Sequence, residues 1–286
     1  MPDDLATTTG LDAAALAHIR EALAARPRGL FSDVDGTLSP IAPTPESAAL
    51  LPGVADLLDR AQQCFDVVAA VSGRSAHDAR RMVGLDTITY IGNHGFEWLE
   101  PRAHVATPVS EAAEAHILPE ALPYQPAVEA VLTRLGADLA PRFPGLRIEP
   151  KGVTASVHVR NTPDPAAAED AAYRLASELA APQGLRVTRG KLVVELRPPV
   201  AVDKGAAVAR VIRERGLRAA LYLGDDRTDI DAFRALRRLT NEGACRGVAV
   251  AILHNEAPAD LAAEADVTLD SIQRVPALLR WLLTAI

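Results

Sequence analysis

Along the first third of the chain, apolar positions come in short runs separated by segments of helical spacing. Residues 11–25 (LDAAALAHIREALAA) carry Ala and Leu at the spacing of a moderately amphipathic helix, and Pro27 and Gly29 end it. A short apolar strand at Leu30 and Phe31 runs into Asp33. A helix opens at Pro52 and spans 52–63; residues 66–71 (DVVAAV) then form an apolar run of strand length, followed at once by Ser72-Gly73-Arg74. A further helix covers 75–83, and a strand at 88–91 (ITYI) ends at Gly92-Asn93-His94-Gly95. Strands alternating with helices in this way predict a parallel sheet with helices on both faces.

The rhythm changes in the middle. Residues 101–126 are rich in Pro, Ala and Glu and read as a connection. A helix at 126–140, strands at 146–150 and 153–160, a helix at 165–180 and strands at 185–189 and 192–197 follow. That order predicts helices covering one face of an antiparallel sheet. After Pro198-Pro199 the first rhythm returns, with helices at 203–215, 229–238 and 271–284 and strands at 219–223, 247–252 and 266–269. The expected organisation is an amino-terminal helix (1–26), an α/β core domain with a Rossmann-like parallel sheet (27–105 and 200–286), and an inserted α+β domain (106–199).

Composition narrows the function classes. A chain of 286 residues that is 49% hydrophobic can bury a large core. A formal net charge of −7 with scattered arginines lacks the basic footprint of a nucleic-acid binder. Cys64 and Cys245 stand far apart, which argues against a disulfide framework or a zinc site and for a reducing, cytoplasmic setting. The start of the chain is acidic and polar, unlike a signal peptide, and no apolar run is long enough to span a membrane. The expected state is a monomer that engages neither membrane nor nucleic acid. Of 30 basic residues only Lys151, Lys191 and Lys204 are lysines. A chain that otherwise uses Arg keeps Lys where a compact ammonium is needed, or by chance.

Two acidic motifs carry the candidate chemistry. In Phe31-Ser32-Asp33-Val34-Asp35-Gly36-Thr37-Leu38, two carboxylates sit two residues apart at a strand exit. Residues i and i+2 of an extended segment point the same way, so Asp33 and Asp35 converge above the carboxyl end of the sheet, where open α/β sheets bind ligands. Gly36 permits a sharp turn whose N–H groups can hold phosphate oxygens; the plainer alternative is an acidic turn capping a strand. Repelling carboxylates in an apolar neighbourhood imply a cation. The second motif, Gly224-Asp225-Asp226-Arg227-Thr228-Asp229, also follows an apolar strand, and Asp225 and Asp229 can face one spot. Hard oxygen ligands of this kind suit Mg2+, while Asp229 could equally cap a helix. Ser72, with the N–H groups of Gly73 and Arg74, precedes a helix, where it either caps the helix or holds a phosphate oxygen. Lys204 opens a helix, where an ammonium opposes the dipole and a phosphate-facing role explains it better than a surface one.

In that order, DVDGT, Ser72, Lys204 and GDDRTD resemble the four motifs of the haloacid dehalogenase superfamily. The resemblance implies Asp33 as nucleophile and Asp35 as general acid and base. It implies Gly36, Thr37, Ser72, Gly73, Arg74 and Lys204 around the phosphoryl group, and Mg2+ held by Asp33, the Asp35 carbonyl and Asp225, with Asp229 in support. From Leu30 onward the chain is more narrowly similar to trehalose-6-phosphate phosphatases. Gly92-Asn93-His94-Gly95-Phe96-Glu97, Glu149-Pro150-Lys151-Gly152, His158-Val159-Arg160, Gly190-Lys191 and Glu195-Leu196-Arg197-Pro198 carry this likeness. It implies that the inserted domain is a cap closing over a sugar phosphate, with Glu149, Lys151 and Glu195 as hydroxyl binders and His158, Arg160, Asn93 and His94 as further contacts. Each also has an ordinary structural reading: a surface ion pair for Glu149 and Lys151, a sheet histidine for His158, a solvent-facing residue for Glu195. Ile230 departs from the pattern, which usually has an acid there. The expected reaction is hydrolysis of trehalose 6-phosphate. The alternatives are another glycoside phosphate, such as sucrose phosphate or a glucosylglycerol phosphate, and a non-catalytic sugar-phosphate sensor.

Overall fold

The computed structural model describes residues 8–42, 44, 47–102, 114–190 and 192–286. They form two compact units, one comprising the chain up to His116 together with Val202–Ile286, the other Ile117–Ala201. The boundary expected at 106 lies outside the described residues.

Unit 1 is built on β1 (Arg28–Asp33), β2 (Val67–Val71), β3 (Thr89–Gly92), β4 (Glu97–Leu99), β5 (His116–Ile117, whose second residue opens unit 2), β10 (Ala219–Gly224), β11 (Arg246–Ile252) and β12 (Val267–Leu269). Their order across the sheet is β12-β11-β10-β1-β2-β3-β4-β5. The strands from β12 to β3 pair in parallel, and β4 pairs antiparallel to β3. Every residue of β1 and of β10 is buried; AALYLG is apolar rather than alternating because both of its faces are covered, whereas RGLFSD carries Leu30 and Phe31 between buried Arg28 and buried Ser32 and Asp33. Neighbours along β1 face opposite ways, so Leu30 joins a core with Ile19, Leu58, Ala79 and Trp281, and Phe31 joins one with Val208, Phe233 and Leu261. The first face is covered by α1 (Ala13–Ala22), α2 (Val54–Ala61), α3 (Ala76–Val83) and α9 (Val275–Ala285), the second by α6 (Lys204–Glu214), α7 (Arg227–Asn241) and α8 (Leu261–Glu264).

Several details differ from the sequence pattern. Helix α1, expected as a separate element, packs Leu16 and Ile19 into the core of unit 1. Strands β4 and β5 and helix α8 are additions, each too short to impose a period. Helix α7 outruns its expected span of 229–238 at both ends, with Asp226 as N-cap and Asp229 three residues further in. Ile230 is buried in the apolar core beside Phe233. Cys64 and Cys245 are free thiols.

Unit 2 contains α4 (Gln125–Leu139), β6 (Arg147–Lys151), β7 (Thr154–His158), α5 (Pro165–Ala180), β8 (Arg186–Gly190) and β9 (Val193–Arg197). The four strands pair antiparallel in the order β6-β7-β9-β8. Helix α4 buries Val128, Val131, Leu135 and Leu139, and α5 buries Ala168, Ala172, Ala176 and Ala180, a line of small side chains four residues apart. Both pack on Ala155, Val157, Val194 and Leu196. Strand alternation therefore turns Arg147, Glu149, Lys151, Ser156, His158, Glu195 and Arg197 to the face away from the helices.

Among the described residues, no helix is long and apolar enough to cross a membrane.

Candidate active site

The sheet of unit 1 dictates where its acidic residues meet. From β1 the chain builds outward through β2 and β3 on one side, and returns on the other through β10, β11 and β12. The β1–β10 junction is thus the point where the strand order reverses, the usual ligand position in such sheets. Ser32 pairs with Leu223, so the exits of the two strands bring Asp33 and Asp225 to the same edge. Gly36 has φ +93° and passes so close to Asp225 that a Cβ on it would lie 2.0 Å from Oδ2. Only glycine fits both the turn and this approach. The Thr37 hydroxyl donates to Asp225 Oδ1 at 2.7 Å.

Asp33, Asp225 and Asp229 are buried and offer oxygens within 4.8 Å of one another. One ammonium serves them: Lys204 Nζ donates to Asp33 Oδ1 at 2.5 Å and to Asp229 Oδ1 at 2.7 Å. Asp229 Oδ1 also accepts from Tyr222 Oη at 2.7 Å, and its Oδ2 accepts from the backbone N–H groups of Asp225 and Asp226, both at 3.0 Å. These four bonds fill a carboxylate's capacity. Asp229 thus caps α7 and anchors Lys204 at the same time.

Three carboxylates against one ammonium leave a buried negative excess. Burial, opposed by Lys204 and reinforced by Asp229 and Asp225, raises the Asp33 pKa well above the usual carboxylate range. Burial and Asp229 push Asp225 up to about 6, against the lowering pull of Thr37, Lys204 and His254. Lys204 holds its proton more tightly than usual: burial works against its charge, and Asp229 and Asp33 outweigh it. A small, hard divalent cation fits the oxygens that Asp33 and Asp225 still offer, Asp229 being filled by its four bonds, and would relieve the excess.

Beside this cluster, Arg74 grips Asp35 through two bonds, Nε to Oδ2 at 2.6 Å and Nη2 to Oδ1 at 2.7 Å. The guanidinium expected at a phosphate therefore lies on the expected acid and base. The Ser72 hydroxyl accepts from the Arg74 N–H at 3.1 Å. Ser75, not Ser72, caps α3. The Asn93 and His94 N–H groups donate to the Arg74 and Ser72 carbonyls, and a Cβ on Gly73 would meet the His94 ring at 2.7 Å. Asn93 and His94 hold φ of +50° and +56°, a left-handed conformation that non-glycine residues adopt only when their surroundings impose it. Buried Glu97 accepts from the Ala76 N–H at 2.5 Å and so fixes the start of α3 just past the Ser72 loop.

In unit 2, Glu149, Lys151 and His158 come together. His158 Nε2 donates to Glu149 Oε2 at 2.6 Å, with Lys151 Nζ and Arg147 Nη2 each 3.8 Å from the same oxygen. Burial would raise the Glu149 pKa, but the His158 hydrogen bond and the charges of Lys151, His158 and Arg147 bring it down to about 2. Glu195 lies in the same cross-sheet row, Glu149–Ser156–Glu195, and pairs with Arg197. Arg160 lies beyond the end of β7 and is exposed, apart from this row. Lys191 falls outside the described residues.

Tyr222 and His254 join the site without a motif to announce them. His254 bonds Asp225 from the loop after β11. A histidine just past an apolar strand, level with two acidic strand exits, is the only signal the sequence offers for it.

A parallel sheet of this order, with acidic residues gathered at its switch point and an α+β unit between β5 and α6, defines the haloacid dehalogenase type of fold. Residues 31–272 match the trehalose-phosphatase family, and the chain belongs to it. It is 36% identical over 263 residues to the trehalose-phosphate phosphatase of Mycobacterium avium (strain 104), covering 89% of this chain and 61% of that protein. It is also 36% identical over 247 residues to a Mycobacterium tuberculosis protein named an uncharacterized glycosyl hydrolase, covering 84% of this chain and 17% of that protein. The chain thus spans less than two thirds of these relatives. Among solved structures, Aspergillus fumigatus trehalose-6-phosphate phosphatase aligns with a TM-score of 0.61 at 25% identity, covering 96% of this chain and 98% of that one. The C-terminal domain of the Candida albicans trehalose-6-phosphate phosphatase shares the fold, with a TM-score of 0.70 at 21% identity over 94% of this chain and 95% of that one.

Proposed function

We propose that this chain hydrolyses trehalose 6-phosphate to trehalose and phosphate, with Mg2+, through an aspartyl phosphate on Asp33. The observation that carries the reading is the buried Asp33–Lys204–Asp229 chain beside Asp225 at the sheet's switch point. Asp33 and Asp225, with the Asp35 carbonyl, would hold the cation, and Asp229 would act through Lys204 and the loop. Bound there, Mg2+ would neutralise charge on the phosphate dianion, which otherwise repels a carboxylate nucleophile.

An Asp33 oxygen attacks phosphorus, and the bond from phosphorus to the sugar oxygen breaks. Asp35, which exchanges its two Arg74 bonds for a proton when substrate enters, gives that proton to the leaving oxygen. Asp35, now a carboxylate, takes a proton from water; the water oxygen attacks phosphorus, and the Asp33 carboxylate and phosphate separate. Lys204 stays protonated throughout and shares the negative charge. The sugar hydroxyls are read by the polar face of unit 2, where Glu149 stays ionised with Lys151 and His158 beside it and Glu195 lies further along the same cross-sheet row. Charged groups of this kind discriminate between polyols more sharply than an apolar pocket. Trehalose is favoured over other glycosides because the likeness to trehalose-phosphate phosphatases runs through both units.

Phosphate release from a panel of sugar phosphates, with Mg2+ and with chelator, tests this. Trehalose 6-phosphate should lead sucrose 6-phosphate and glucosylglycerol phosphate, and chelator should abolish release. Asp33→Asn should lower turnover by at least about 1,000-fold with the fold intact. Metal-independent release, or an active Asp33→Asn variant, would overturn the reading; another sugar phosphate in the lead would correct the substrate alone.

A further inference from the structure

We infer that His254 is a positioning residue for the cation site, acting through Asp225 and touching neither substrate nor metal. The inference rests on the proposed role of Asp225 as a cation ligand. Its own content is the tautomer of one imidazole and what that tautomer does to one carboxylate.

Strand β11 lies beside β10 with Ala251 opposite Gly224, so the loop after β11 emerges at the edge where Asp225 begins its loop. His254 is the second residue past that strand. Its Nε2 lies 3.0 Å from Asp225 Oδ2, and its Nδ1 lies 3.1 Å from the backbone nitrogen of Glu256. A backbone N–H can only donate, so Nδ1 must accept. The ring proton then sits on Nε2 and is given to Asp225; the tautomer follows from the partners. With its proton there, Nε2 has no lone pair to offer a metal. The geometry makes His254 a donor to a ligand and not a ligand itself.

Asp225 is thus held from three sides. Thr37 donates to Oδ1 at 2.7 Å from the loop after β1, and His254 donates to Oδ2 at 3.0 Å from the loop after β11. The Gly36 backbone lies against the carboxylate so closely that no side chain could come between them. Two bonds from opposite strands fix the plane of the carboxylate and leave roughly half of its four acceptor positions for a cation. Orientation by an outer hydrogen-bond partner is the usual way a protein sets a carboxylate for a metal. Half-buried His254 belongs to no recognised motif, and no step proposed above uses it.

The test is Mg2+ binding to the full chain without substrate, by isothermal titration. His254→Ala and His254→Leu should each weaken binding by about 10- to 100-fold. His254→Gln, whose amide can still donate, should recover most of the loss. At saturating Mg2+ the alanine variant should regain most of its turnover, because His254 handles no reacting proton. In the unaltered chain, 15N shifts should show His254 protonated on Nε2 and bare on Nδ1. Wild-type Mg2+ affinity in the alanine and leucine variants, a glutamine variant as damaged as alanine, or an Nδ1–H tautomer would each overturn the inference while leaving the phosphatase reading in place. A wild-type chain that binds no Mg2+ would sink both, and the failure would show before any variant was made.

Discussion

At the exits of β1 and β10, three buried carboxylates gather around one ammonium, Lys204, which bonds Asp33 and Asp229 but not Asp225, whereas on the sheet of unit 2 Glu149 has His158, Lys151 and Arg147 all within 4 Å. The groups are of the same kinds and the outcomes are opposite. Asp225 is pushed up to about 6 and Glu149 is drawn down to about 2. Burial opposes ionisation in both places, so the sign is decided by the local balance of charge. The first cluster is short of positive charge and becomes stable when a cation enters. The second is complete in itself, and a ligand must exchange with bonds already made. Reactive chemistry suits the first arrangement, and reading hydroxyl groups suits the second.

The sharpest way to break this contrast is to remove the one ammonium. Lys204→Met leaves Asp33, Asp225 and Asp229 with no cation of their own. Losing a preorganised charge at the reacting phosphate should lower turnover by about 100- to 1,000-fold. Breaking a buried pair by deleting one partner should cost about 3–5 kcal/mol of stability, read by urea melts in chelator. Saturating Mg2+ should return part of that stability, because it supplies the missing charge. A Lys204→Met variant as stable and as active as the parent would mean that the cluster is not short of positive charge.

In unit 2 the expected effect is smaller and selective. Glu149→Ala should lower kcat/KM for trehalose 6-phosphate about 10- to 100-fold more than for a small aryl phosphate, the range for losing a hydrogen bond to a charged group. Equal losses on both substrates would remove this face from sugar recognition and leave Glu149 as a packing residue.

How much of this was legible in the sequence depends on what fixes each feature. Strand β10 could be read because burial on both faces forces a near-continuous apolar run, and β1 because Leu30 and Phe31 lead straight into Asp33; the acids at both exits are conspicuous by contrast. The Ala-rich helix α5 could be read because four alanines repeat at the helical period. Strand β4 could not, since three residues impose no period and its pairing to β3 is set by the loop that turns it back. Partner choice was the least legible. Arg74 is plain in the sequence, but its grip on Asp35 depends on where the loops after β1 and β2 come to rest. Asp229 had two readings, helix cap or site residue, and its two oxygens take one each. His254 needed the β10–β11 register before it meant anything.

The finest test sets the two clusters against each other by pH, in chelator, with calorimetry of the parent against Glu149→Gln and Asp225→Asn. Glu149 has a folded pKa near 2 against an ordinary 4.5, so its carboxylate favours the folded state. Its contribution is complete above pH 4.5 and is lost as pH falls toward 2; at about 1.4 kcal/mol per unit it amounts to about 3–4 kcal/mol at most. Asp225 has a folded pKa near 6 against an ordinary 3.8, so its carboxylate opposes folding when no cation is present. The metal-free chain should therefore gain stability at that site as pH falls from above 6 toward 3.8. Relative to their matched amides, the two sites should show slopes of opposite sign between pH 6 and 2, and Mg2+ should erase the Asp225 slope while leaving that of Glu149 untouched. Slopes of the same sign would mean that charge balance is not what separates the two clusters.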